Sequence, residues 1–408
     1  MFSQQIELRG HIIDSLILPK VLDEILTNGG RFTIRQIKVG QQRHDPSYAC
    51  IDVFAPTPQA VDAVVRRLRQ HGAEVVQEAD VQLATSPADG VFPENFYVTT
   101  NQQTFVHLDG QWLEVTPPTM DCGVCVDLAT KTATTVKFSA VRQGMAFAVG
   151  HHGIRVMPVQ RALDRHSVFE FMASSVSSEK PKSAVIREIA AELRLAKKYG
   201  GKILVVAGPA LVHTGAGEHF EKLIEWGYVD LLFSGNALAT HDAEHALYGT
   251  SLGVNLEHGA LADEGHENHM RAINTIRACG GISAAVAKGV LSRGILFQCV
   301  RHNVKFILAG SIRDDGPLPE VITDVVEAQK AMRANLVGVT IALMMGTMLH
   351  SVAVGNLLPA AVKTICVDIN PSVVTKLADR GTFQAIGLVT DIEPFLRELT
   401  EFLNPKSE

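Results

Sequence analysis

Glycine, aspartate, asparagine and threonine recur in this chain directly after apolar runs, where an open parallel sheet holds a polar ligand outside its carboxyl ends. The runs are Lys202-Ile-Leu-Val-Val-Ala-Gly208, Val229-Asp-Leu-Leu-Phe-Ser-Gly235, Val304-Lys-Phe-Ile-Leu-Ala-Gly310, Thr364-Ile-Cys-Val-Asp368 and Ala385-Ile-Gly-Leu-Val-Thr-Asp391. They lead into Gly208-Pro-Ala-Leu-Val-His-Thr-Gly-Ala-Gly217, Ser234-Gly-Asn-Ala237, Gly310-Ser-Ile-Arg-Asp-Asp-Gly316, Asp368-Ile-Asn370 and Thr390-Asp391. A carboxylate at a strand tip, as at Asp368, can accept hydrogen bonds from both hydroxyls of an adenosine ribose and disfavours a 2′-phosphate. Met345-Gly-Thr-Met-Leu-His350 can present backbone N–H groups to a pyrophosphate at a helix start. No complete Gly-x-Gly-x-x-Gly occurs, so a plainer alternative stays open: Asp368 caps the next helix and Gly346 relieves packing.

Histidine is the second anomaly: His213, His219, His241, His245, His258, His266 and His269 crowd one stretch. His241-Asp-Ala-Glu-His245 satisfies the His-x-x-Glu-His pattern of a zinc peptidase. No convincing third ligand can be named, so no metal is expected, and the histidines read as a polar pocket wall with some hydrogen-bonded in the core. Cys122-Gly-Val-Cys125 has no second pair to complete a structural zinc site and leads into a strand rather than a helix. Packing cysteines are expected, their thiols on opposite faces.

These residues must be positioned by elements that the pattern also predicts. A strand from Gln5 to Ile12, a helix from Leu18 to Asn28, extended runs 31–41 and 48–55 about the turn-prone 42–46, a helix opened by Thr57-Pro58 and a strand 75–81 give β-α-β-β-α-β, the order of a ferredoxin-like sandwich. Residues 96–100, 104–108, 111–115, 123–127 and 134–141 are short strand candidates of a β-rich connector, and 174–181 is a polar loop. Ser183 can cap a helix through Tyr199 that is stopped by Gly200-Gly201. Beyond it the apolar runs, with helices between them at 218–226 and 324–337, predict strands buried on both faces of a doubly wound parallel sheet.

Composition narrows the function classes. The 408 residues carry 37 Lys and Arg against 43 Asp and Glu, a net charge of −6, with 46% hydrophobic and 20% charged residues. A mildly acidic globular composition argues against nucleic acid as partner. Six dispersed cysteines fit a reducing compartment, and charges in the first fifteen residues break any signal-peptide core. The apolar stretch 336–362 is interrupted by Thr347, His350, Ser351 and Asn356, which suits a buried strand and helix and not a membrane span. Cytoplasmic location is expected, and the apolar fraction points to a homo-oligomer.

Two groups of motifs carry a resemblance. Phe96-Tyr-Val-Thr-Thr-Asn101 and Pro118-Thr-Met-Asp-Cys-Gly123 resemble the lysine-oxoglutarate reductase/saccharopine dehydrogenase (LOR/SDH) conserved region. Ser234-Gly-Asn-Ala-Leu-Ala-Thr-His-Asp242, Gly265-His-Glu-Asn-His-Met-Arg-Ala-Ile-Asn274 and Gly310-Ser-Ile-Arg-Asp-Asp-Gly316 resemble the archaeal-type ornithine cyclodeaminases. The same module forms the carboxyl-terminal part of cyanobacterial arginine dihydrolase/ornithine cyclodeaminase fusions. The resemblance implies α/β architecture: a ferredoxin-like α+β unit over 1–95, a β-rich connector over 96–173, and over 174–408 a doubly wound parallel-sheet domain, Rossmann-like and deoxyhypusine-synthase-like, that binds NAD. The Trp-Gly-Lys tripeptide on which deoxyhypusine synthase depends is absent, which puts aminobutyl transfer in doubt.

The resemblance further implies conversion of L-ornithine to L-proline and ammonium by transient hydride transfer to a bound NAD, without arginine hydrolysis. By motif match the NAD contacts fall on Asn236, Ala237, Asp315, Thr347, Met348, Leu349, His350, Asp368 and Asp391. Proximity to the Asn236 and Asp315 loops nominates His241 or Asp242 for acid–base work and Lys288 or Arg313 for the substrate carboxylate. Two other readings remain: an NAD-dependent amino-acid dehydrogenase or reductase of the saccharopine type, and a non-catalytic sensor of NAD and amino acid.

Overall fold

The computed structural model describes residues 2–13, 16–40, 45–69, 71–75, 80–157, 182–252, 254–255, 267–314, 316–379 and 385–405. The turn residues 42–44, the middle of the strand expected at 75–81, the loop 174–181, His258, His266 and Asp315 lie outside them. The chain divides into two compact units, one of residues 1–166 with 359–361, the other of 167–358 with 362–408.

The first unit begins β1 (Phe2–Gly10), α1 (Ile17–Thr27), β2 (Arg31–Lys38), β3 (Ser47–Ala55), α2 (Pro58–Arg69) and β4 (Glu74–Val75). The strands form an antiparallel sheet in the order β2-β3-β1-β4, the ferredoxin-like arrangement. Alternation decides which face is covered: Ile6 and Leu8 of β1 lie opposite Ile51 and Ala49 of β3. They bury against Leu18, Val21 and Ile25 of α1 and Val61, Val64, Val65 and Leu68 of α2. At ~1.5–3 kcal/mol for each fully buried large aliphatic side chain, that shared core is the main term holding the sandwich. The edge strand β2 carries the exposed Arg31, Arg35 and Lys38, charges that discourage further pairing.

The same unit continues with β5 (Gln82–Thr85), β6 (Gln103–Leu108), β7 (Gln111–Thr116), β8 (Gly123–Asp127), β9 (Thr132–Val136), β10 (Ala146–Val149) and β11 (Ile154–Met157). They form one sheet in the order β11-β6-β7-β9-β8-β10-β5. The strand expected at 96–100 does not form; Phe96 and Val98 make only isolated bridges, to Val149 and Gly123. Phe96 instead stacks on Phe92 at 4.2 Å, and the Thr99 hydroxyl donates to the Thr119 carbonyl at 2.6 Å, a local bond that competes with a ladder. The run expected to 141 stops at Val136, where a 3-10 turn (Phe138–Ala140) follows.

The second unit comprises α3 (Lys182–Lys198), β12 (Lys202–Ala207), α4 (Ala210–His213), α5 (Gly217–Glu225), β13 (Leu231–Gly235), α6 (Asn236–Tyr248), β14 (Thr250–Ser251), β15 (Val254–Asn255), α7 (Asn268–Cys279), α8 (Ile282–Ala287), α9 (Ile295–Arg301) and β16 (Lys305–Ala309). It closes with β17 (Val321–Ile322), α10 (Val325–Ala334), β18 (Val339–Met345), α11 (Met348–Gly355), β19 (Lys363–Asp368), α12 (Pro371–Asp379), β20 (Ala385–Val389) and α13 (Ile392–Leu403). Seven strands pair in parallel as β17-β16-β13-β12-β18-β19-β20. Alternate residues feed two cores, as a sheet covered on both faces requires. Ile203, Val205 and Ala207 of β12 join the layer of α3, α5 and α13, while Leu204 and Val206 join Val354 of α11 and Val373 and Leu377 of α12. The apolar stretch 336–362 resolves into the buried β18 and the helix α11, broken at Gly346, whose φ of +60° ends the strand. Asp324 caps α10, its carboxylate accepting from the N–H of Val326 at 2.8 Å and of Glu327 at 3.0 Å.

Candidate active site

Chain order and sheet order together locate a crevice. Successive strands run outward from β12 through β13 to β16 on one side and from β18 through β19 to β20 on the other. The order reverses between β12 and β18, and ligands of such sheets bind at that switch point. Gly208 leaves β12 there and Gly346 leaves β18, and a Cβ on Gly208 would collide with the carbonyl oxygen of Gly346. The two backbones thus approach more closely than any side chain permits, forming a narrow glycine cradle in which the Gly208 N–H donates to the Met345 carbonyl at 2.9 Å. Thr347, extended, precedes α11 without a side-chain cap, so the first N–H groups of that helix remain available to an anion.

The residues named for a dinucleotide distribute along this edge. Met348 and Leu349 open α11, and Leu349 is 74% exposed. The His350 Nδ1 lies 3.3 Å from the Thr347 hydroxyl, and its ring fills the space over Gly235 that a Cβ would occupy. Burial pushes the His350 imidazole below the usual histidine range, disfavouring its charged form. Asp368 is 9% exposed at the tip of β19; its Oδ1 accepts from the Asn370 N–H at 2.8 Å, and Oδ2 has no partner among the described residues. Asn370, and not Asp368, caps α12 through the N–H of Ser372. Asp391 caps α13 from the end of β20 through Glu393. On the other side of the switch point, the buried Asn236 side chain accepts the Leu318 N–H at 3.0 Å, fastening a neighbouring loop, while Ala237 is exposed. The donors, the open carboxylate oxygen and the glycine cradle fit a dinucleotide laid across the crevice.

Next to the β12 and β13 ends lies a cluster that the sequence did not assemble. His213 of α4 packs edge-to-face on His241 of α6 with ring centroids 4.6 Å apart, and His269 of α7 follows at 6.5 Å. The Nδ1 of His241 bonds Glu244 Oε2 at 2.8 Å, and the Nδ1 of His213 bonds the Ser251 hydroxyl at 2.7 Å. Burial, with the neighbouring His241 next, pushes the His213 imidazole down to about 4. The clue to Glu244 was present in the His-x-x-Glu-His motif: residues three apart on a helix meet. Among the described residues no set of three His, Cys, Asp or Glu is gathered to hold a metal.

Other nominated residues turn out to be engaged structurally. Asp242 is buried with both oxygens accepting from the start of α9, from Ile295 N–H and Leu296 N–H at 2.8 Å each. Burial pushes its carboxyl up to about 7. It shares His241's helix but faces α9, which sequence adjacency does not reveal. Lys288 is exposed and donates to the Cys279 carbonyl at 2.9 Å, closing the end of α7. Arg313 is exposed on the loop after β16, at the carboxyl edge. Cys122 is buried and Cys125 half-buried, its thiol pushed up by burial, and no disulfide joins any of the six cysteines.

Comparison with known proteins accords with this geometry. Residues 187–399 match the family described as arginine dihydrolase ArgZ-like, C-terminal, Rossmann fold. Residues 3–102 match the LOR/SDH bifunctional enzyme conserved region, and 103–186 the first region of the ArgZ-like C-terminal part. The chain is 53% identical to the ornithine cyclodeaminase of Methanopyrus kandleri over 398 residues, covering 98% of this chain and 96% of that protein. It is 40% identical to the bifunctional arginine dihydrolase/ornithine cyclodeaminase AgrE of a Nostoc species, over 98% of this chain and 58% of AgrE. Among solved structures, the ternary complex of AgrE with ornithine and NAD+ matches with a TM-score of 0.54 at 39% identity, covering 100% of this chain and 58% of that one.

Proposed function

Since the chain belongs to the ornithine cyclodeaminase family with ArgZ-like C-terminal and LOR/SDH regions, we infer that it converts L-ornithine to L-proline and ammonium using bound NAD. The observation that carries the reading is that one sheet edge holds both the dinucleotide cradle between Gly208 and Gly346 and, beside it, the His213–His241 pair. Bound NAD supplies the hydride acceptor and donor for the substrate carbon, so it is regenerated in each turnover.

The protein's own groups do the rest. Asp368 takes the adenosine ribose, the N–H groups of Thr347, Met348, Leu349 and His350 take the pyrophosphate, and Asp391 contributes from the end of β20; Asp315, outside the described residues, is assigned to the same nucleotide by the motif match alone. With the adenosine ribose on Asp368, Asn236 and Ala237 at the start of α6 would hold the nicotinamide end of the cofactor. His241, on the same helix as Asn236 and Ala237, takes a proton from the substrate ammonium and returns it to the departing nitrogen. Arg313 offers a bidentate partner to the substrate carboxylate. Asp242 and Lys288 are set aside for these roles, because both are occupied at helix ends.

Six cysteines without a disulfide accord with a reducing, cytoplasmic setting, and no described helix is long and apolar enough to cross a membrane. A homo-oligomer is part of this reading and is checked by light scattering. The decisive experiment incubates the protein with L-ornithine and a catalytic amount of NAD, then measures proline and ammonium together. Equimolar products over many turnovers without accumulating NADH are expected. Net NADH formation would mean a dehydrogenase, and tight NAD retention without product would mean a sensor.

A further inference from the structure

Glu244 is 0% exposed in the middle of the second unit, and a carboxylate that dry persists only with its oxygens occupied. Oε1 accepts the Thr250 hydroxyl at 2.9 Å, and Thr250 in turn accepts from the Asn268 amide at 3.0 Å. Oε2 meets His241 Nδ1 at 2.8 Å and the Leu252 N–H at 3.3 Å. Bracing of the turn after α6 would account for Thr250 and Leu252 but not for the imidazole. The two-residue strand β14 orients both rings of the pair: Thr250 through Glu244 to His241, and Ser251 directly to His213. Each ring is held by Nδ1, and neither Nε2 has a hydrogen-bond partner among the described residues. That is the arrangement of a base oriented by a second group, here with a buried carboxylate as the orienting group.

We propose that Glu244 is the positioning residue for the base that handles the substrate amine. It holds His241 with the proton on Nδ1, so that Nε2 takes a proton from the substrate's ammonium and gives it back to the nitrogen that leaves as ammonia. The inference rests on the ornithine reading above. Among the described residues, the groups facing His241 are Glu244 on its own helix, His213 from α4 and His269 from α7, and the neutral His213 adds no positive charge to the site.

The test compares wild type, Glu244→Gln and Thr250→Val for L-ornithine turnover across pH, with NAD affinity measured in parallel. Glu244→Gln keeps the side-chain volume but removes the charge. It should lower kcat about a hundred-fold with KM and NAD affinity unchanged, and shift the acidic limb of the pH profile to lower pH. Thr250→Val, which removes the hydroxyl that donates to Glu244 Oε1, should act in the same direction by about threefold. If wild type turns over and Glu244→Gln leaves kcat and the acidic limb where they were, the positioning role falls and the cyclodeaminase reading stands. Should Glu244→Gln not fold, an unmoved acidic limb in Thr250→Val overturns it equally. A wild type that makes no proline removes both.

Discussion

Asp368 commits one carboxylate oxygen to Asn370 and leaves the other open at the tip of β19, which is the state that a ribose diol would complete. Asp368→Ser should weaken NAD binding about ten- to a hundred-fold, the range for a lost hydrogen bond to a charged group, and weaken NADP binding less. Isothermal titration with both nucleotides measures it, and equal losses would mean that Asp368 acts on the fold and not on the ribose. Two other groups, the half-buried His213 and the buried Asp242, write opposite pH signatures into stability. His213, depressed to about 4 from 6.5, leaves the unfolded chain binding the extra proton between those values, so its contribution is lost as pH falls through that window. Asp242, raised from 3.8 to about 7, binds its proton more firmly when folded, so stability falls as pH rises through its window. In urea melts, Asp242→Asn should leave stability rising with pH between 4 and 6.5, and His213→Gln should leave it falling. If neither variant changes the slope, these groups do not set the pH response.

Among the elements, the β12 and β18 exits carry the tightest constraint. A methyl group on Gly208 must displace the backbone at Gly346 or Thr347, because no flexible side-chain end is there to yield. Overpacking of this kind costs about 1–3 kcal/mol. Gly208→Ala should therefore lower the melting temperature and weaken NAD binding together, whereas Gly215→Ala, at a φ of +78° with open space around it, should cost stability but spare NAD affinity. Binding and melting measured on both variants separate the cradle from ordinary backbone strain. Equal effects on NAD would remove the cradle from the nucleotide site. The short strand β14 matters for another reason: two residues orient two imidazoles, so small changes in the turn after α6 reach the chemistry directly.

At the scale of the whole molecule, two units with separate cores share one chain, and the residues of the nucleotide edge named above lie in the second. Saturating NAD should stabilise that unit by about 2.7 kcal/mol at a hundred times Kd. Calorimetry should show its transition rising while the transition of the ferredoxin-like unit stays put; a single transition rising as a whole would mean that the units unfold together. The parallel sheet was legible in the residues because strands buried on both faces must be apolar throughout, and the ferredoxin-like order was legible from alternation and from glycine stops. Asp368 and the Met345–His350 turn were legible for the same reason, since polar residues after buried strands have one edge to occupy. Adjacency misled at Asp242: neighbours on a helix point about 100° apart, and only the packing of α9 shows which way its carboxylate goes. The His213–His241–Glu244–Thr250 cluster joins α4, α6 and β14, and no local pattern states which turns of a chain will meet. Periodicity and turn chemistry, being local, determined the elements and their polar tips; the meeting of the two imidazoles with the buried Glu244 carboxylate, being a matter of long-range packing, was decided by the tertiary structure.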